Sequence, residues 1–231
     1  MFNVLKLIEL APGLAEAQRQ AFRDQLQAST LELPGLHRAL LEPAMAGSYN
    51  SGDLIWRATF LDRVSGERAL GSAGWRRSGA ALLDERRRVV RLEHVAFESA
   101  ARGGVSPPGG LYRVALFCAN HAPSAERLAR YDAETRAMPR YIRTIRSWQL
   151  ATTCEATGSR PWTHVWEQEY EDLAGLTGAY MMHPFHWAHI DRWYDPESPH
   201  WLVDPYVCHG FCATRAPVID TAVDAVDGVA R

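Results

Sequence analysis

The chain has no long apolar run. No window approaches about 20 consecutive apolar residues, so a conventional membrane-spanning helix is not expected. Net charge is also nearly absent, −2 at neutral pH, with no basic face for nucleic acid and no like-charge tail. The short run Arg86-Arg87-Arg88 reads as a solvated turn before a strand. Cysteine is sparse: Cys118, Cys154, Cys208 and Cys212 in 231 residues. Without a secretory context free thiols are expected, and Cys208 and Cys212 are too singly placed for a zinc site. The start, Met1-Phe2-Asn3-Val4-Leu5-Lys6, has neither a charged n-region nor a long apolar h-region, so no signal peptide is expected. These absences point to a cytoplasmic protein without a nucleic-acid or membrane partner.

What is present is an ordinary globular composition, 47% apolar and 23% charged, enough for one large domain or two small ones. Residues 2–10 read as an apolar strand and 14–28 as a helix with Leu14, Ala17, Ala21, Phe22 and Leu26 on one face. Residues 36–46 suit a strand with an edge proline at Pro43, 53–62 a second strand, 66–81 a short helix, and 89–97 an alternating strand. Residues 102–110, rich in glycine and proline, read as a linker. The order then begins again. Strand 111–119 is followed by a helix capped by Ser124 and stopped at Pro139, strands 141–151 and 162–170, a helix over 172–182 and a strand within 201–214. Two βαββαβ units result, 1–101 and 111–215, followed by a tail over 216–231. The pattern predicts an α+β fold of two ferredoxin-like units.

The halves differ in chemistry. Seven of nine histidines, six of eight tryptophans and all four cysteines follow residue 110. The densest stretch is Tyr180-Met181-Met182-His183-Pro184-Phe185-His186-Trp187-Ala188-His189, with proton-carrying groups set among apolar and aromatic ones, as in a small-molecule pocket. One site per chain is expected, in the second half. Strand alternation over 162–170 puts Trp162, His164, Trp166 and Gln168 on one face. Tyr180 and His186 suit general acid–base work. A helix end with capping histidines reads equally well from the spacing. A metal site from His183, His186, His189, Asp191 and His164 is a rival, weakened by Pro184 and by intervals of three, which do not hold three side chains on one tight face.

The run Trp162-Thr163-His164-Val165, then Tyr170-Glu171-Asp172-Leu173, then Tyr180-Met181-Met182-His183-Pro184-Phe185-His186, resembles the stress-responsive A/B barrel (Dabb) family. It is most similar to the branch of polyketide cyclases that forms olivetolic acid. The resemblance implies two ferredoxin-like units packed sheet to sheet as a dimeric α+β barrel, here within one chain, with a homodimer of chains left open. It also implies Tyr180 and His186 as an acid–base pair with His164 as a third catalytic group. The chain departs from that branch in its first strand, Tyr112-Arg113-Val114-Ala115-Leu116, which lacks a histidine, and in a more aromatic loop over 187–201. A different substrate is therefore expected.

The resulting expectation is an enzyme without a cofactor, of cyclase, lyase or decarboxylase type, acting on an aromatic or polyketide-like small molecule. Trp162, Trp166, Phe185 and Trp187 would form walls, His183 would support the turn at the substrate, and Arg113 or Arg192 would bind a carboxylate. The alternatives are a non-catalytic ligand-binding barrel and a metal- or haem-dependent oxidoreductase of the α+β barrel class.

Overall fold

The computed structural model describes residues 1–221. In the first half, strands β1 (Phe2–Leu10), β2 (Leu36–Pro43), β3 (Leu54–Phe60) and β4 (Val89–Glu98) alternate with helices α1 (Glu16–Leu31) and α2 (Arg63–Leu70) in the order βαββαβ. Helical turns over 73–83 extend the second connection. In the second half come β5 (Ala101–Gly104), β6 (Gly110–Phe117), helix α3 (Ala125–Tyr141), β7 (Ser147–Thr152), β8 (Glu155–Thr157), β9 (His164–Tyr170) and β10 (Cys208–Thr214). Two antiparallel sheets form, β2-β3-β1-β4-β8 and β10-β6-β9-β7-β5. Set aside β5 and β8, and each has the fourth, first, third, second strand order of a ferredoxin-like unit. Among the described residues no helix is long and apolar enough to cross a membrane.

Each sheet has two covered faces, so the central strands β3 and β9 are buried at every position. One face of each packs on its own helices. Phe22 and Leu26 of α1 cover the first sheet, and Tyr131 and Met138 of α3 cover the second. The other faces meet, with Leu5, Leu7, Ile55 and Val95 against Tyr112, Val114, Val165 and Cys212. The edges close the barrel. Met45 N–H donates to the Phe211 carbonyl at 2.9 Å, Tyr49 bridges to His209, and β8 crosses from the second half to pair with β4.

Between the sheets lies a buried polar thread. Glu167 accepts from Arg57 Nε at 2.6 Å, from Gln149 Nε2 at 2.8 Å and from the Tyr112 hydroxyl. Arg57 also donates to Asn3 Oδ1 at 2.9 Å. Glu169 accepts from Ser106 and Ser147 hydroxyls and from the Val218 amide at 2.7 Å, which draws Val218 and Ile219 into the inter-sheet core.

The structure redraws several boundaries. The stretch expected as a linker holds β5, paired with β7 from Ala101–Leu150 to Gly104–Ser147. Gly104 has φ +86°, and a Cβ there would sit 2.1 Å from the Arg146 carbonyl oxygen, so glycine is required for this approach. Helix α3 runs through Pro139 to Tyr141, because a proline one turn from the end removes only one ladder bond. The turn expected at 156–161 begins as the edge strand β8, and the final strand starts only at Cys208, after Pro205. Of the expected tail, 222–231 lies outside the described residues. All four cysteines are free.

Arg57 and Glu167 are almost fully buried and join opposite sheets. Arg57→Met is expected to lower stability by about 3–5 kcal/mol, leaving a carboxylate uncompensated in the core. Adding Glu167→Leu should recover only part of this, because Tyr112 and Gln149 lose their acceptor. Urea unfolding of the three proteins checks both statements. A single-variant loss below about 1 kcal/mol would contradict a buried-charge role.

Candidate active site

The space between the second sheet and its helices collects the reactive side chains. Strand β6 supplies Arg113, directly opposite Gln168 of β9. Trp166 and Tyr170 flank Gln168 on the same face, two residues to either side. From β10 comes His209, paired with Ala115, two residues along from Arg113. The covering segment is wound as wide helical turns, Gly175–Tyr180 and His186–Ile190, of the i to i+5 type that tends to occur at functional sites. Pro184 lies between the two, and Phe185 N–H donates to His183 Nδ1 at 3.1 Å, so His183 holds the turn that presents His186.

Tyr180 is 2% exposed and Arg113 4%. The Tyr180 hydroxyl lies 3.5 Å from Arg113 Nη1, with the guanidinium carbon 5.2 Å from the ring centre. Arg113 Nη1 also donates to Gln168 Oε1 at 2.5 Å. His186 meets the Tyr180 ring edge to face at 4.6 Å, and its Nδ1 is 3.2 Å from Asp191 Oδ1, at ion-pair distance but off the hydrogen-bond line. Among the described residues no carboxylate reaches ion-pair distance of Arg113, although its two hydrogen-bond partners there are neutral. The same neighbourhood holds unpaired buried donors: Trp166 Nε1, Gln168 Nε2 and the Tyr170 hydroxyl. Burial pushes the Tyr170 phenol well up, so it stays protonated. Burial, then the charges of Arg113 and His186, push the His209 imidazole well down, so at neutral pH it is uncharged and able to accept a hydrogen bond.

His164 belongs to an adjoining cluster. Four residues before Gln168, it lies roughly 13 Å along the strand from it. Its ring stacks on Phe117 at 5.2 Å, Nδ1 meets the Thr163 hydroxyl at 2.7 Å, and Nε2 is 3.7 Å from Asp132 Oδ1. Burial pushes its pKa down to about 4 and raises that of Asp132. A hydroxyl pair, Tyr131 with Tyr194 at 2.8 Å, lies between this cluster and Tyr180.

Of the residues expected at the site, Tyr180, His186, Arg113 and Trp166 come together. Trp162 does not join them. It precedes the first residue of β9, so strand alternation does not reach it, and it turns into the inter-sheet core where its Nε1 donates to Glu93 at 2.8 Å. Arg192 is drawn to Glu134 of α3 at 2.5 Å, a half-buried carboxylate. Phe185 is stacked between Tyr141 and His189 on the outer side of the turn, and Trp187 is 52% exposed with Nε1 tied to the Met181 carbonyl. Both cover the site from outside, because the wide turns carry them to the solvent side. Among the described residues no group of three His, Cys, Asp or Glu side chains is placed to hold a metal ion. Sequence reading puts Gln168 on the face of Trp166 without making it a site residue, and misses Tyr170 and His209. Period-2 spacing from Trp166 marks Gln168 and Tyr170, whereas His209 arrives only through the β6–β10 pairing.

Such a chain, with two ferredoxin-like sheets closed face to face and one reactive space under the second, is an α+β barrel protein. Residues 111–207 match the family model described as "Stress responsive A/B Barrel Domain". Over those residues the chain is similar to that family. No curated protein matches the chain in sequence. In fold it is similar to an anthrone oxidase-like protein, with a TM-score of 0.68 at 10% identity over 92% of this chain and 90% of that one. A putative monooxygenase from Fusobacterium nucleatum gives a TM-score of 0.61 at 8% identity, covering 94% and 95%. A chlorite dismutase variant from Candidatus Nitrospira defluvii gives 0.52 at 13%, covering 91% and 90%. At these identities the likeness is one of fold.

The pH dependence of stability follows from His164. Its pKa is about 4 when folded and roughly 6.5 when unfolded. Between those values the unfolded chain takes up a proton that the folded chain refuses, so stability falls as pH drops from about 6.5 to about 4 and this component then levels off. The full shift corresponds to about 3 kcal/mol. His164→Phe, which keeps an aromatic ring against Phe117, should lose that much less stability than the parent between pH 7 and pH 4. Equal losses in urea titrations of both proteins would contradict the assignment.

Proposed function

We propose that the chain is an enzyme, working without a bound cofactor, that removes a proton from an aromatic or polyketide-like carbon acid and holds the resulting anion at Arg113. One observation carries this reading: a buried guanidinium that meets no carboxylate among the described residues, surrounded by Tyr180 and by donors of Trp166, Gln168 and Tyr170 that are unpaired among those residues. A buried cation and several unsatisfied N–H and O–H groups are costly unless an acceptor-rich ligand completes them. An enolate or phenolate oxygen fits that chemistry, and donors fixed in advance around developing negative charge are an effective way to lower a barrier.

His186 is the base, and Asp191 at ion-pair distance from its Nδ1 stabilises the imidazolium that forms. The proton passes from substrate carbon to Nε2, the electron pair moves onto the carbonyl oxygen, and Arg113 and Tyr180 stabilise it there. The carbanion can then close a ring, or the same cradle can take up the electrons released by loss of carbon dioxide or by carbon–carbon cleavage. Neutral His209 is a hydrogen-bond acceptor on the same sheet face, and His164 acts from the adjoining cluster as an orienting group. Substrate access requires the covering turns to move aside, since Tyr180, Gln168 and Tyr170 are buried.

An anthrone, a carbon acid of the proposed class, is a practical probe. With 1,8-dihydroxyanthrone in D2O, the wild type should speed exchange of the acidic carbon-bound hydrogen, followed by NMR. Tyr180→Phe, His186→Ala and Arg113→Met should each lower the enzyme-dependent rate by about 10²-fold or more, with circular dichroism unchanged. Exchange no faster than in buffer, over this and a panel of β-keto aromatic acids, would point to a binding barrel without turnover. Oxygen uptake in the same assay would separate oxidation from the other fates of the carbanion.

A further inference from the structure

A concavity of about 880 Å³ opens on the other side of Trp148, along the outer edge of the second sheet. Its volume is in the range of small-molecule pockets. Arg102 enters from β5, Arg136 and Arg140 from the last turns of α3, and Arg143 and Arg146 from the turn before β7. Five guanidinium groups thus line one groove in a chain of net charge −2, and among the described residues no Asp or Glu lines it.

Local roles account for part of this. Arg136 Nε donates to the Asp132 carbonyl at 3.1 Å, Arg146 lies 3.4 Å from Glu171 at the rim, and Arg140 suits the negative end of the α3 dipole. They do not explain why three separate elements aim cations at one space. The scaffold holds them there: β5 is paired to β7 across Gly104–Ser147, and Gly104 lets its backbone lie against the Arg146 carbonyl. The back wall is apolar, with Ile145 and the Trp148 ring, whose other neighbour is Trp166 of the acid–base site at 5.6 Å.

We infer that this groove binds a small molecule bearing two or more linked phosphate groups, with Arg136, Arg140, Arg143 and Arg146 on the phosphates and Trp148 against its organic part. A guanidinium fork matches phosphate oxygens bidentately, and Lys6 is the only lysine in the chain, so the groove is built wholly from the residue suited to that geometry. A single carboxylate would neutralise only one of the cations. A bounded groove in a weakly acidic chain fits a small polyanion better than a nucleic-acid duplex, which needs a basic stripe. This inference stands apart from the acid–base reading and survives its failure.

Isothermal titration of the full chain with pyrophosphate and with ADP, at about 0.1 M salt, tests it. Saturable one-to-one binding of pyrophosphate or ADP is expected. The exposed double variant Arg140→Ala/Arg143→Ala should weaken it by at least about tenfold with an unchanged circular dichroism spectrum. His186→Ala should bind as the parent does. ADP tighter than pyrophosphate would assign the organic part to Trp148, and Trp148→Ala should then remove that difference. Absence of saturable binding by either probe overturns the proposal, as does equal affinity in the double variant. Tighter binding to a DNA duplex or to phosphatidylglycerol vesicles than to pyrophosphate also overturns it.

Discussion

The Arg57–Glu167 pair is the constraint that the barrel depends on. It joins the third strand of one sheet to the third strand of the other, at a point where neither side chain meets solvent. Two sheets packed only through Leu, Ile and Val could slide, because apolar contact is non-directional. A carboxylate that accepts from Arg57, Tyr112 and Gln149 at once has one position. Glu169 does the same for the chain's later part by fixing Val218 and Ile219 between the sheets. Register in β9 therefore follows from its odd-numbered residues, and that register decides which even-numbered residues face the helices.

The two units share a pairing pattern but not its contents. First and third strands pair from Phe2–Phe60 to Ile8–Leu54 in one unit, and from Leu111–Tyr170 to Phe117–His164 in the other. Taken in order, Val4 opposite Ala58 occupies the place where the second unit has Arg113 opposite Gln168. Leu54 stands where His164 stands. The first unit fills its sheet–helix space with Trp56 stacked on Trp75, together with Phe22 and Leu26. The second keeps donors and imidazoles there. One packed unit supplies rigidity, and the other carries an expensive polar interior that the barrel's remaining contacts offset. Trp56 and Trp166 occupy matching places and differ in one atom's fate: Trp56 Nε1 reaches Thr30 at 2.8 Å, whereas Trp166 Nε1 has no partner.

The fold was legible because its signals are local. The double βαββαβ order follows from apolar periodicity, Pro-Gly breaks and the Ser124 cap, and these hold whatever lies nearby. Tyr180 and His186 stand out as candidates because their residue types are concentrated in a compact stretch around Pro184. Trp162 was misread because alternation was extended past the end of a strand, and backbone geometry before His164 is set by packing. Arg192 was misread because an arginine goes to the carboxylate that folding brings nearest, here Glu134. His209 could not be found by spacing, since a partner across a sheet is separated in sequence by a whole unit.

The sequence by itself determined the secondary structure order, the concentration of reactive groups after residue 110 and the resemblance to the A/B barrel family, since each rests on neighbours along the chain. Only the tertiary structure decided that Glu167 and Glu169 are interior, that β8 crosses to the sheet of the first half, and that Arg113 is buried beside Tyr180 with no carboxylate at ion-pair distance among the described residues. Those facts depend on which faces are removed from water and which strands meet. Solvent exclusion and long-range pairing are properties of the assembled barrel, and no window of residues contains them.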